Sequence, residues 1–124
     1  MYEQIRLIIV QKIYEKITSS NKDIKFKKHP YIRYIKKIFY AYFEREIDLE
    51  KILKKHLDNT KINFNNIDLL LKIILKASIY ELCYVKKTPS KVVIDEYLNV
   101  TARFYDTNQK KLVNAILDSV YKSQ

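Results

Sequence analysis

Apolar residues recur at three- and four-residue steps along nearly the whole chain, the spacing that lines one face of an α-helix. In the first segment Leu7, Val10, Tyr14 and Ile17 keep that step, Ile9 and Ile13 stand beside them, and Gln4, Gln11 and Glu15 occupy the opposite side. This predicts an amphipathic helix from about Tyr2 to Thr18. Thr18-Ser19-Ser20-Asn21 closes it with side chains that compete for backbone hydrogen bonds, and Asn21 suits the left-handed position that usually falls to glycine. Lys22 to His29 reads as a charged connector. Pro30 keeps His29 out of helical geometry and fits a first helical turn, so a second helix is expected from Tyr31 to about Arg45. Its aromatic residues Tyr31, Tyr34, Phe39, Tyr42 and Phe43 are mostly core candidates.

Asp48 is a fair N-cap for a short third helix carrying Leu49, Ile52, Leu53 and Leu57, closed by Asn59-Thr60. The fourth segment differs from the others. From Ile67 to Leu82 its apolar residues cover most of the helical circumference and leave only a narrow polar strip near Asp68, Lys72 and Lys76, the pattern of a helix buried at the centre of a bundle. Thr88-Pro89 offers an N-cap and a proline at the first helical position for a fifth helix, from Ser90 to about Phe104, with Val93, Tyr97, Val100 and Phe104 at helical spacing. Asn108 starts a sixth, to about Tyr121, whose Leu112, Ala115, Ile116 and Val120 face inward. With no internal repeat and no low-complexity tract, the expectation is an all-α bundle forming one domain over residues 1–124.

Composition sharpens this picture in three places. The chain has no glycine, so no phosphate-cradling loop of the P-loop or dinucleotide-binding type can be drawn. Lys and Arg number 24 against 14 Asp and Glu, a formal net charge of +10 that points to polyanionic partners. Most of these cations are lysines, a bias that AT-rich coding also produces, and only Arg6, Arg33, Arg45 and Arg103 are arginine. The single Cys83 excludes an internal disulfide and fits a reducing compartment. No secretory leader is visible, and the run Leu69 to Leu75 is broken by Lys72, far short of the about 20 apolar residues a membrane span needs. A cytoplasmic location is expected, with no membrane partner.

Catalytic chemistry finds little support. Cys83 lies at the end of the central helix, where it reads as a small hydrophobe. His29 and His56 lack companions at metal-ligand spacing and read as a loop residue and a helix-terminal cation. Asp95 and Glu96 are adjacent, so on a helix they diverge rather than converge on one atom. Glu81 sits among apolar neighbours, which predicts a structural carboxylate holding backbone amides or a cation. No catalytic residue, metal or cofactor is expected. Binding fares better: Lys12 and Lys16, Lys72 and Lys76, and Lys110 and Lys111 could present cations to a phosphate backbone, and Tyr2, Tyr14 and Tyr80 could stack on unpaired bases. Helical spacing alone would equally place each tyrosine in the core.

Ile74-Leu75-Lys76-Ala77-Ser78-Ile79-Tyr80-Glu81-Leu82, Thr88-Pro89-Ser90-Lys91-Val92-Val93-Ile94-Asp95-Glu96, Phe104 and Lys111-Leu112-Val113-Asn114-Ala115-Ile116-Leu117-Asp118 together resemble the NusB transcription antitermination family. Val10-Gln11-Lys12-Ile13-Tyr14 adds a similar block in the first helix. The resemblance implies a compact all-helical fold of about six to seven helices in two packed subdomains. It also implies binding of the boxA element of ribosomal RNA transcripts together with NusE, a small-subunit ribosomal protein, in a complex that joins the RNA polymerase elongation complex and suppresses termination. By position, Arg6, Gln11 and Tyr14 match the RNA-facing first helix, and Lys111 and Asn114 match the start of the last. Lys12 and Lys110 join this set on charge.

The chain departs from the family pattern at several positions. Tyr2, Glu3 and Gln4 stand where an arginine-rich stretch is usual, which predicts weak RNA affinity without a partner. Leu112 replaces a phenylalanine, Ala115 a glycine and Asp95 an asparagine. An alternative reading is a helical module that docks NusE or the polymerase with little RNA grip of its own. A third draws on the related helical domain of certain ribosomal RNA cytosine methyltransferases, but it requires an additional glycine-containing α/β domain for which the chain has no room.

Overall fold

The segment that is apolar nearly all round lies at the centre of the molecule. A computed structural model describes residues 5–19 and 23–124. Among them are six α-helices and no strand: α1 (Ile5–Thr18), α2 (Ile32–Glu44), α3 (Glu46–Leu57), α4 (Leu69–Tyr80), α5 (Ser90–Phe104) and α6 (Thr107–Lys122). A 3-10 turn, Phe64–Asn66, precedes α4, and a π-helical turn, Glu81–Val85, continues it. Helix α4 packs against all five other helices; α1 pairs with α2 on one side of it and α5 with α6 on the other, while α3 rests on α4 and α6. Every residue from Ile73 to Leu82 is buried, because a helix surrounded on all sides has no solvent face to leave polar.

Helix starts differ from expectation where capping was read from residue type alone. Asp68, expected only on the polar strip, caps α4, its Oδ1 accepting the Leu71 N–H at 3.4 Å. Helix α3, however, begins at Glu46, two residues before Asp48, after a break of one residue at Arg45. Glu46 and Asp48 both fall in its first turn, where carboxylates suit the helix dipole. Pro89 occupies the cap position of α5 rather than the first turn, and α6 starts at Thr107 behind an extended Asp106. The expected helical contribution of Tyr2 and Gln4, and the closing role of Ser20 and Asn21, lie outside the described residues.

The π turn ends at Lys86, whose N–H donates to the Glu81 carbonyl at 3.2 Å. Lys86 is left-handed, with φ 54°, the only such residue among those described. A chain without glycine has to place a residue with a Cβ there, at a cost of roughly 1–2 kcal/mol. Wide turns of this kind re-aim the side chains that follow them, and here the turn begins on the buried Glu81.

Candidate nucleic-acid interface

Helix α1 carries two faces of opposite character. Its buried stripe is Ile5, Arg6, Leu7, Ile9, Val10 and Ile13, so the inward face is centred on Arg6, Ile9, Val10 and Ile13 and not on Leu7, Val10, Tyr14 and Ile17. Tyr14 and Ile17 are turned out, at 42% and 39% exposure. Arg6, expected at an RNA surface, is only 6% exposed. It grips Glu81 side-on: Nη2 donates to Oε1 at 2.7 Å and Nε to Oε2 at 3.2 Å. Nη1 reaches Glu96 at 3.3 Å, and the guanidinium lies 5.4 Å from the centre of the Tyr34 ring. Tyr34 and Tyr97 donate their hydroxyls to the two Glu81 oxygens, Tyr97 at 2.5 Å.

This cluster joins α1, α2, the π turn and α5 through one carboxylate. Burial disfavours the Arg6 charge, but the hydrogen bond and charge of Glu81 outweigh it and hold the guanidinium protonated beyond its ordinary range. Burial, followed by the Glu81 charge, pushes the Tyr34 and Tyr97 hydroxyls up, so both stay protonated as donors. With its donors committed to carboxylates and little surface exposed, Arg6 does not present a cation to a phosphate. The cation expected beside Glu81 is therefore Arg6, and the assignment of Arg6 to the nucleic-acid face is corrected on that ground.

The outward face of α1 carries Gln11 and Tyr14, both exposed, and a half-buried Lys12 that pairs with Glu15 at 3.2 Å. Tyr105 caps the end of α5. Burial chiefly raises the Tyr105 pKa, its hydrogen bonds to Asp68 and that residue's charge add to the shift, and Tyr14 contributes as well. The Tyr105 hydroxyl donates to the Asp68 carboxylate at 2.7 Å, which anchors the α5–α6 junction to the start of α4. From this junction α6 projects Lys110, Lys111 and Asn114 into solvent, while Val113, Ile116, Leu117 and Val120 face inward. Neither Lys110 nor Lys111 has a carboxylate partner among the described residues. Tyr105 thus fixes the start of α6 against the start of α4, while Gln11 and Tyr14 stand exposed on α1.

Sequence reasoning missed Tyr105 and Gln109. A cavity of about 370 Å³ at this junction is lined in part by Asp68, Tyr105, Asn108, Gln109 and Leu112. The Gln109 side-chain oxygen is buried with no hydrogen-bond partner. Gln109 lies between Asn108 and the lysine pair in sequence, but nothing in the helical pattern distinguishes it.

The other candidates separate by burial. Lys16 is exposed, Lys72 is half-buried with its ammonium 4.2 Å from the Phe64 ring centre, and Lys76 is buried and pairs with Glu46 at 3.2 Å. Tyr80 is buried and stacks on Tyr84, and Tyr2 lies outside the described residues. His56 is not an exposed helix-end cation: it packs inward with Nδ1 2.8 Å from the Ser119 hydroxyl, and burial lowers its pKa. Cys83 is half-buried and accepts from the Gln124 amide at 3.2 Å. Among the described residues no cluster of His, Cys, Asp or Glu has the make-up of a metal site, and no helix is long and apolar enough to cross a membrane.

The sequence model of the NusB family matches residues 3–122. The chain belongs to the NusB family. Members of this family are non-enzymatic transcription antitermination factors. The transcription antitermination protein NusB of Treponema denticola is 40% identical over 78 residues, covering 62% of this chain and 55% of that protein. NusB of Rickettsia akari is 33% identical over 93 residues, 75% of this chain and 59% of that one. NusB of Rickettsia typhi is 29% identical over 93% of this chain and 87% of its own length. The chain therefore spans little more than half of the first two relatives. The solved structure of T. maritima NusB (P3121, form 2) superposes with a TM-score of 0.84 over 98% of this chain and 91% of that one, at 21% identity. That likeness establishes the all-helical NusB fold expected from the sequence.

Proposed function

We propose that this NusB-family chain acts in the cytoplasm as a transcription antitermination factor, binding boxA RNA of ribosomal RNA transcripts together with NusE in a complex with elongating RNA polymerase. The observation that carries the reading is the exposed lysine pair Lys110 and Lys111 at the start of α6, without carboxylate partners among the described residues. Lysines of this kind neutralise phosphates, while Tyr14 and the amides of Gln11 and Asn114 supply a ring and polar groups for unpaired bases. Lys12 adds a cation at the far side of Gln11. Family membership and the net charge of +10 agree with this assignment.

A titration of boxA RNA against a scrambled sequence, at two salt concentrations and with or without NusE, tests it. Tighter boxA binding with NusE, weakening steeply with salt, is expected. Equal affinity for both RNAs and a flat salt dependence in the ternary mixture would favour the second reading, a module that docks NusE or the polymerase with little RNA contact. The burial of Arg6 favours that alternative, because it withdraws a forked guanidinium donor from this surface.

A further inference from the structure

A second cavity, of about 270 Å³, opens between α1, the connector before α2 and the first turn of α2. Ile8, Ile32 and Ile35 line it as apolar floor, and Phe26 forms a wall. Its rim is Gln11, Lys12, Lys27, Lys28 and His29, with no carboxylate in the lining. Phe26 is held edge-on against Phe39, with ring centres 5.2 Å apart and planes at 85°. Two ammonium groups from different helices converge on this half-buried ring, Lys12 at 5.8 Å and Lys36 at 5.5 Å from its centre.

We infer that this cavity is a pocket for one unpaired nucleobase of the bound RNA, with Phe26 as its stacking platform and Lys12, Lys27 and Lys28 on the flanking phosphates. The inference rests on the RNA-binding reading and extends it to a specific subsite. An aromatic wall, an apolar floor and a lysine-bearing rim without carboxylates match a flat apolar ring attached to an anionic backbone. The volume lies below the range of about 300–1,000 Å³ typical of sites for drug-sized ligands, which suits a single base with its sugar and phosphates outside. Gln11 supplies an amide donor and acceptor at the rim, able to read a base edge.

Position connects this pocket to the face described above. At about 100° per residue, Lys12 lies to one side of Gln11 and Tyr14 about 60° to the other. A strand crossing Tyr14 therefore meets Gln11 next and then the pocket. When a base stacks on Phe26, the Lys12 ammonium exchanges the ring for a neighbouring phosphate.

The test uses the full chain with NusE and a boxA oligoribonucleotide carrying 2-aminopurine at each position in turn, read by fluorescence and by affinity at two salt concentrations. One position is expected to be quenched on binding. Phe26→Ala should abolish that quenching and weaken binding roughly tenfold, and Phe26→Trp should restore both. Because Phe26 packs on Phe39, an independent variant is needed: Lys27→Ala with Lys28→Ala, both exposed, should reduce the salt slope by about 1.4 while the quenched position stays the same. Normal RNA binding with no quenched position, quenching that survives Phe26→Ala, or an unchanged salt slope in the lysine variant would overturn the pocket and leave the antitermination reading standing. Absence of RNA binding by the unaltered chain would overturn both.

Discussion

Arg6 and Lys12 lie less than two turns apart on the same helix, yet one is sealed inside the molecule and the other stands at its surface. Arg6 falls on the stripe of Ile9, Val10 and Ile13, where a cation is tolerated only with a carboxylate partner; Glu81, with Tyr34 and Tyr97, supplies it. Lys12, Lys110 and Lys111 lie off the apolar stripes of their helices and keep their ammonium groups within reach of solvent. The same sign of charge thus serves two purposes. Inside, it fixes how four elements meet; outside, it is available to a polyanion. Helical phase, more than residue type, decides which.

The sharpest way to break this comparison is to remove the buried carboxylate. Glu81→Ala leaves Arg6 and two tyrosine hydroxyls without their acceptor and should cost about 3–5 kcal/mol in chemical denaturation. Combining Arg6→Met with Glu81→Leu should recover part of that loss, the remainder reflecting Tyr34 and Tyr97, and should leave boxA affinity unchanged; a large loss of affinity in a folded double variant would return Arg6 to the RNA surface. On the outer side, Lys110→Ala with Lys111→Ala should weaken RNA binding roughly tenfold at low salt and reduce the salt slope by about 1.4, with the melting temperature nearly unmoved. The smallest effect tests the turn that starts at Glu81. Lys86→Gly relieves the left-handed backbone and should raise stability by about 0.5–1 kcal/mol, measured by denaturant midpoint at constant m-value.

Much of the architecture was legible in the sequence because it rests on periodicity. The central position of α4 follows from an apolar circumference, whereas Asp68 was read only as part of its polar strip and not as the cap it forms. Glu81 was readable as a structural carboxylate, since a charge among apolar neighbours demands a partner. Its partner was harder to see, because Arg6 lies 75 residues away. A cue existed: Arg6 is three, four and seven residues from Ile9, Val10 and Ile13, which puts it on the buried stripe once the helix phase is set correctly. The π turn and the left-handed Lys86 have no such cue, for nothing in the local residue types requires either. Tyr105 and Gln109 were missed for a similar reason: their place depends on how the α5–α6 junction packs against Asp68.

The central claim is that the outer side of α1 and the beginning of α6 form one RNA-contacting surface while Arg6 serves the interior. Photo-crosslinking of a 4-thiouridine boxA RNA to the chain in the presence of NusE, with adducts mapped by mass spectrometry, addresses it directly. Adducts on Gln11 to Lys16 and on Tyr105 to Asn114, drawn from the same RNA, are predicted. Adducts confined to α3 and the turn at Phe64–Asn66, with both predicted segments unmodified, would contradict it.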